Sequence, residues 1–276
     1  MTQKVLEKMM LRLLLPALLA ISWQALAVVI DKPTTLPRLE AVGNVLAHPT
    51  EKILITGSLV ENSIISLIRV ACGFCLAAAA AIPLGILMGY FGLAERLFES
   101  AIELLRPVPP LAWVPLILAW FGIKSLADWF PEQSYSMICD SIQFSMVFII
   151  LIGAFFPILI STIQGVKSIP QILLESARTL GAKNLSLLYK VIVPAILPSI
   201  VTGLRIGLGV GWMCLVAAEM MPGSSAGLGY LIWYAYELLR TEIVVAGIVV
   251  IGLLGFFMDQ GFRYVEQRFL WVNRMR

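Results

Sequence analysis

The sequence predicts an all-α membrane protein with about six spanning helices, and two observations predict it. The first is composition. Of 276 residues, 59% are apolar and 13% are charged, and the mean hydropathy is +0.91, against roughly 45–50% apolar and about 25% charged in a soluble domain. The second is segmentation. Six apolar runs, 11–30, 64–90, 102–122, 145–163, 195–218 and 241–262, each have about the 20 residues that cross roughly 30 Å of hydrocarbon. This composition excludes disorder, collagen, a disulfide scaffold and a water-soluble enzyme. The net charge of +3 is too small to argue for nucleic acid.

In chain order, the run 11–30 follows Lys4 and Lys8 and contains Ala25-Leu26-Ala27, an A-x-A pattern of the kind found at signal-peptide cleavage sites. It continues through Val28-Val29-Ile30 and predicts a retained first span. The stretch 36–48 is amphipathic in outline and is expected on the outer surface. The second run holds Cys72 and Cys75, whose C-x-x-C spacing inside apolar sequence predicts packed thiols rather than a redox or zinc pair. The third holds Arg106-Pro107-Val108-Pro109-Pro110, where prolines remove backbone donors and predict a kink. Segment 124–140, with Trp129 and Pro131, is longer than a simple turn. Three units are expected: 1–60, a first span and outer segment; 61–265, a transport core; and 266–276, a basic tail.

Lysine and arginine orient the chain. With the N-terminus inside, the inner segments hold twelve basic residues (Lys4, Lys8, Arg12, Arg96, Lys167, Arg178, Lys183, Lys190, Arg263, Arg268, Arg274 and Arg276). The outer segments hold five, Lys32, Arg38, Lys52, Lys124 and Arg240. This places both termini in the cytoplasm, while Arg69, Arg106 and Arg205 lie within or at the edge of spans.

The chain carries no G-x-x-x-x-G-K-[ST], H-E-x-x-H or G-x-S-x-G. Its one histidine, His48, lies in a loop, so no His-based catalytic set or metal site is expected.

The inner segment 165–194 is written as more than a connector. Ser168-Ile169-Pro170-Gln171 has the S-x-x-Q pattern of a capping box, helix-tolerant residues follow to Leu180, and Gly181 sits where a helix ends in a left-handed residue. A second helix is expected over 185–192, capped by Asn184 or Ser186. Ile172, Leu173, Leu174, Ala177 and Leu180 give the first helix apolar surface, suited to the bilayer interface or to a groove in a partner protein.

Glu175-Ser176-Ala177, three residues, Gly181, nine residues and Val191-Ile192-Val193-Pro194 resemble the EAA loop of bacterial ABC-importer permeases. Ser176 replaces the middle alanine, and valines replace Ile and Leu. The resemblance runs from about Glu61 to Trp271. It includes 106–113 (RPVPPLAW), 203–212 (GLRIGLGVGW), 216–220 (VAAEM) and 227–230 (GLGY), and it is similar to the nitrate/sulfonate/bicarbonate branch, leaning to its taurine and alkanesulfonate members. It implies a type I ABC-importer permease architecture, a homodimer in the bacterial cytoplasmic membrane, two cytoplasmic ATPase subunits that hold ATP and magnesium, and an extracytoplasmic solute-binding protein. No cofactor is implied for this chain. The substrate implied is a small anion of the sulfonate, nitrate or bicarbonate type. Glu175, Ser176, Ala177, Arg178 and Gly181 become the candidate ATPase-coupling residues.

The candidate pathway or gate set is Pro109, Trp113, Arg205, Gly207, Gly209, Gly211 and Trp212. Gly203, Gly207 and Gly211 form a small-residue strip that suits close helix packing or a sliding gate. Arg205 either attracts an anion or pairs with an acid such as Asp259 or Glu103. Glu219 repels anions and is no ligand. Trp113 and Trp120 wall the pathway or anchor at interfaces. The functional alternative is a stand-alone secondary carrier or channel; an intramembrane enzyme lacks a convergent catalytic set.

Overall fold

The computed structural model describes residues 2–53, 55, 57–122, 124–125, 128, 142–221 and 223–274, with backbone alone at 2–13, 184–185 and 268–274. The described residues form helices and no β-strand; Ser125 and Gln143 share one isolated antiparallel bridge.

Helix α1 (Thr2–Ile30) runs unbroken through Ala25-Leu26-Ala27 and is followed by α2 (Leu39–Ala47). Trp23 Nε1 donates to the Pro37 carbonyl at 3.0 Å and Gln24 Oε1 accepts from the Leu39 N–H at 2.9 Å, which folds α2 back on α1. The long helix α3 (Leu59–Tyr90) opens on a capping box. Ser58 Oγ accepts from the Glu61 N–H at 3.2 Å, and Glu61 Oε2 accepts from the Ser58 N–H at 2.9 Å.

The third expected span is broken. Helix α4 (Gly92–Leu105) and α5 (Val114–Phe121), with a 3-10 turn at Pro110–Trp113, bend by 87° across Arg106–Pro109. Pro107 and Pro109 in that stretch, with Pro110 directly after it, cannot continue a hydrogen-bonded helix, so the kink expected there is a full break. Most of 124–140, including Trp129 and Pro131, lies outside the described residues.

Helix α6 (Phe144–Lys167) is the centre of the bundle. It runs parallel to α3, with Gly73 against Ile150, Gly85 against Thr162 and Gly89 against Val166 in constant register. A Cβ on any of these three glycines would stand 2.5–2.7 Å from its neighbour, so small residues set this close approach. The α6 side chains Ile149, Ile150, Ile158 and Leu159 are wholly enclosed.

Helix α7 (Gln171–Thr179) follows, then α8 (Asn184–Leu187), a π turn (Leu188–Ile192) and α9 (Val193–Glu219). The helix expected over 185–192 runs without a break into the next span. Its widened turn lies just before Pro194, which removes an i→i−4 donor. α9 packs antiparallel on α6: Gly203 meets Ser161, Gly207 meets Ile158, and Gly153 of α6 meets Cys214. Short α10 (Leu228–Glu237) and long α11 (Thr241–Arg274) complete the chain. No break falls at 265–266, so the expected tail continues α11 through Arg274.

Among the described residues, four helices are long and apolar enough to cross a membrane (Leu59–Tyr90, Phe144–Lys167, Leu188–Glu219 and Thr241–Gln267), and the bent α4/α5 pair makes a fifth crossing if counted as one span. Leu14–Ile30 is a shorter apolar helix, so the first expected span has that length among residues with described side chains.

Candidate functional site

Four features stand out: a projecting turn after α6, a cleft along α6 and α9, and two charge clusters, one between α9 and α11 and one joining α3, α9 and α10. The turn is α7 and its exit. The Gly181 N–H donates to the Arg178 carbonyl at 2.9 Å and the Ala182 N–H to the Ala177 carbonyl at 3.0 Å, the paired bonds of a Schellman motif. Gly181 stands at φ +86°, where an L side chain is strained. The expected capping box at the other end does not form. α6 extends to Lys167, so Ser168 is its C-cap in αR geometry and its Oγ donates to the Gly165 carbonyl at 2.8 Å; Pro170 precedes α7 instead.

The two faces of α7 differ. Leu174 and Ala177 pack inward on Ile169, Leu187, Ile192 and Ile196. Ile172, Leu173 and Leu180 are exposed, the last at 89%. Glu175, Ser176 and Arg178 share that exposed face, and the Glu175 side chain has no hydrogen-bond partner among the described residues. Ser176 Oγ turns back to the Ile172 carbonyl at 2.7 Å.

The cleft, about 370 Å³, lies between the α4/α5 break and the facing ridges of α6 and α9. Arg106, Val108 and Pro110 line it from the break, Phe156 and Ser161 from α6, and Ile206 from α9, among others. A broken helix is tolerated at membrane depth where it lines a cavity, and this break does so. Ser161 also lines a second, more polar cleft of about 480 Å³ with Gln164, Ser199, Thr202 and Glu266, so the two adjoin toward the α7 end.

None of the seven candidate pathway residues lines the first cleft. Pro109 is exposed, and Trp113 packs on the core. Gly207 and Gly211 face α6, the close-packing arrangement, while their neighbours Ile206 and Val210 face the cleft. Gly209 has open space beside it and borders a pocket of about 50 Å³ with Arg205 and Trp212, toward α11.

Arg205 pairs with acids. Its Nε donates to Asp259 Oδ1 at 2.6 Å and its Nη1 reaches Glu266 Oε2 at 3.4 Å; Arg263 Nε also donates to Asp259, at 2.8 Å. Of the two acids offered as alternatives, Asp259 is the partner and Glu103 is not, and Glu266 is a second partner that the sequence did not suggest.

Glu219 belongs to a cluster the sequence reading did not assemble. Arg69 Nη1 donates to its Oε1 at 2.9 Å and to the Ala226 carbonyl at 2.7 Å, and both Arg69 and Glu219 are 0% exposed. Ser66 Oγ donates to the same carboxylate at 2.9 Å. Three successive N–H groups at the start of α10 are taken in turn: Gly227 by Asn62 at 2.8 Å, Leu228 by Ser66 at 3.0 Å and Gly229 by Glu219 at 3.0 Å. Gly227 (φ +112°) and Gly229 allow this approach, since a Cβ on either would stand within 2.3 Å of Glu219 or the Val216 carbonyl. The available signal was the spacing of Asn62, Ser66 and Arg69 at i, i+4 and i+7, a polar stripe on one face of an apolar helix.

Residues 81–271 match the family described as binding-protein-dependent transport system inner membrane component. A putative ABC transporter permease protein of Methanocaldococcus jannaschii is 54% identical over 98% of this chain and 95% of its own length. The taurine transport system permease protein TauC of Escherichia coli is 35% identical over 92% of this chain and 86% of its own. Further relatives carry the names of aliphatic sulfonate, nitrate and bicarbonate permeases. A chain of the MetNI methionine ABC transporter, solved in inward-facing conformations, shares the fold with TM-score 0.62 at 17% identity, over 76% of this chain and 95% of that one. With that fold and those relatives, the chain belongs to the binding-protein-dependent transport system inner membrane component family and is an ABC-transporter permease of the nitrate/sulfonate/bicarbonate branch.

Proposed function

We propose that the chain is the permease subunit of an ATP-driven importer for a small oxyanion, a sulfonate, nitrate or bicarbonate. The observation that carries this reading is α7. It is a short helix closed by its own Schellman turn, anchored by Leu174 and Ala177 and presenting Ile172, Leu173, Glu175 and Leu180 outward. An amphipathic helix with an exposed apolar face fits a groove in a partner. The occupant in this reading is a cytoplasmic ATPase that holds ATP and magnesium, with Glu175, Ser176, Ala177, Arg178 and Gly181 at the contact. Two copies of the permease and two ATPases assemble in a prokaryotic cytoplasmic membrane. Both termini and α7 lie inside, and an extracytoplasmic binding protein delivers the solute to the opposite end. ATP-driven approach of the ATPases moves the α7 segments and shifts the bundle between two states. The α6–α9 cleft, opening to the polar cleft near α7, is the route in this reading.

A mild-detergent pull-down of the tagged chain from native membranes, with mass spectrometry, tests the assembly. A stoichiometric P-loop ATPase is expected. A chain that purifies without one and still transports in liposomes is a stand-alone carrier or channel. Cysteines placed at Ala182 and Lys183 are expected to label from the cytoplasmic side; labelling only from outside reverses the topology.

A further inference from the structure

Among the side chains described, three arginines lie within or at the edge of the spans of this bundle, and two are neutralised. Arg69 is enclosed with Glu219, and Arg205 shares Asp259 and Glu266. The side chain of Arg106 has no ion-pair or hydrogen-bond partner among the described residues. It is exposed and lines the 370 Å³ cleft, whose other walls run over 152–161 near the middle of the 24-residue α6 and 206–210 near the middle of the 27-residue α9. By the lengths of both helices, the cleft that Arg106 lines lies near half-depth, where an ionised side chain is costly and marks an ion or substrate route. The nearest acid in sequence, Glu103, borders a different cleft with Glu95, Glu99 and Lys167.

The backbone around Arg106 sharpens its role. Pro107, Pro109 and Pro110 carry no N–H. The two remaining N–H groups of 106–110 are used, Arg106 to the Ile102 carbonyl at 2.8 Å and Val108 to the Leu105 carbonyl at 3.1 Å. The guanidinium is therefore the donor group that the break still offers. The walls facing it are apolar apart from Ser161, which adds one hydroxyl.

We propose that Arg106 is the permease's own anion contact, presenting paired N–H groups to two oxygens of a nitrate, bicarbonate or sulfonate as it passes mid-membrane. The proposal rests on the importer reading above and assigns the substrate class to the cleft rather than to the binding protein alone. A planar guanidinium matches oxyanions through two parallel hydrogen bonds, which an ammonium does not reproduce. One cation in an apolar cleft also suits transit, because a route needs an interaction strong enough to admit the ion and weak enough to release it.

The test uses the full importer, permease with its ATPase and binding protein, in proteoliposomes. Uptake of labelled taurine, nitrate and bicarbonate is compared for the wild type, Arg106→Gln and Arg106→Lys, with co-purification of the ATPase measured for each. Arg106→Gln is expected to co-purify with the ATPase and to lose uptake at least tenfold. Arg106→Lys is expected to recover part of it with a several-fold higher half-saturation. Wild-type uptake by Arg106→Gln overturns the proposal. If Arg106→Gln does not assemble, the lysine variant decides: a raised half-saturation supports the proposal and an unchanged one overturns it. Failure of the importer reading is seen separately, in the wild type, as absence of ATP-dependent uptake; Arg106 then has no substrate to contact and the proposal falls with it.

Discussion

Helix α9 carries two charged residues, Arg205 and Glu219, about 21 Å apart along its axis at 1.5 Å per residue. They are held in opposite ways. Glu219 is fully enclosed, and its oxygens accept from Arg69, Ser66 and the Gly229 N–H, so side chains of α3 and the backbone of α10 meet on one carboxylate. Arg205 meets only side chains, on α11, and both it and Asp259 are partly exposed, at 28% and 38%. The buried cluster joins three elements and satisfies the donors that start α10. The open cluster shares charge between two helices that have room beside them at Gly209. A buried charge in a membrane bundle is thus a joint when backbone groups depend on it, and an adjustable contact when only side chains do.

The largest expected effect breaks the joint. Arg69→Met leaves the Glu219 carboxylate buried without its cation, a loss of about 3–5 kcal/mol. Adding Glu219→Gln removes the stranded charge and keeps an acceptor for Gly229, so the double variant is expected to recover a substantial part. Thermal unfolding of the detergent-purified chain measures both. A double variant no more stable than the single one removes the distinction between the two clusters.

Arg205→Met is expected to cost far less, on the order of 1 kcal/mol, because Asp259 retains Arg263 and the site is partly exposed. Salt sharpens the contrast. From 0.1 to 1 M the screening length falls from about 10 to about 3 Å, so high salt is expected to shrink the Arg205→Met difference and leave the Arg69→Met difference in place. Equal salt responses in the two unfolding series mean that the clusters do not differ as described.

The sequence exposed what is local. Apolar length located α3, α6, α9 and α11, and Gly181 marked the left-handed end of α7 because that signal is one residue's backbone preference. What depends on distant partners was hidden. Nothing near Glu219 in the chain announces Arg69, and the glycine strip of α9 was readable as packing or gate until Ser161 and Ile158 were seen against it. The S-x-x-Q box does not form for a related reason: the end of α6 claims Ser168, while the capping box that does form is that of Ser58 and Glu61 at the head of α3. Arg106 stands in the motif 106–113, but its place in the cleft follows from the 87° break, which the sequence marks only as a kink.

The same comparison extends to two helix ends that share one motif. α7 closes on Gly181 at φ +86°, and α10 closes on Leu239 at φ +58° with the Leu239 N–H on the Tyr236 carbonyl at 2.9 Å and the Arg240 N–H on the Ala235 carbonyl at 2.8 Å. No atom lies within 4 Å of a Cβ built on Gly181, so Gly181→Ala acts through the backbone alone, at about 1 kcal/mol. It is expected to tilt α7 and lower ATP-coupled uptake while leaving the chain in the membrane; normal coupled uptake counts against the coupling role of the turn.

Leu239→Gly runs the experiment in reverse and has the smallest expected effect. A leucine in the left-handed region carries a strain of about 1–2 kcal/mol that glycine does not. The freedom glycine adds to the unfolded chain returns roughly 0.5–1 kcal/mol of that. Leu239 is exposed at 61%, so little packing is lost. The balance is a gain of roughly half a kcal/mol, a rise in Tm on the order of 1–2 °C, with uptake unchanged because α10 lies at the end of the bundle away from α7. A fall in Tm means that the Leu239 side chain contributes more through contact than its backbone costs. The two Schellman turns then differ in what holds them: chain geometry at Gly181, and side-chain burial against lipid or a second copy at Leu239.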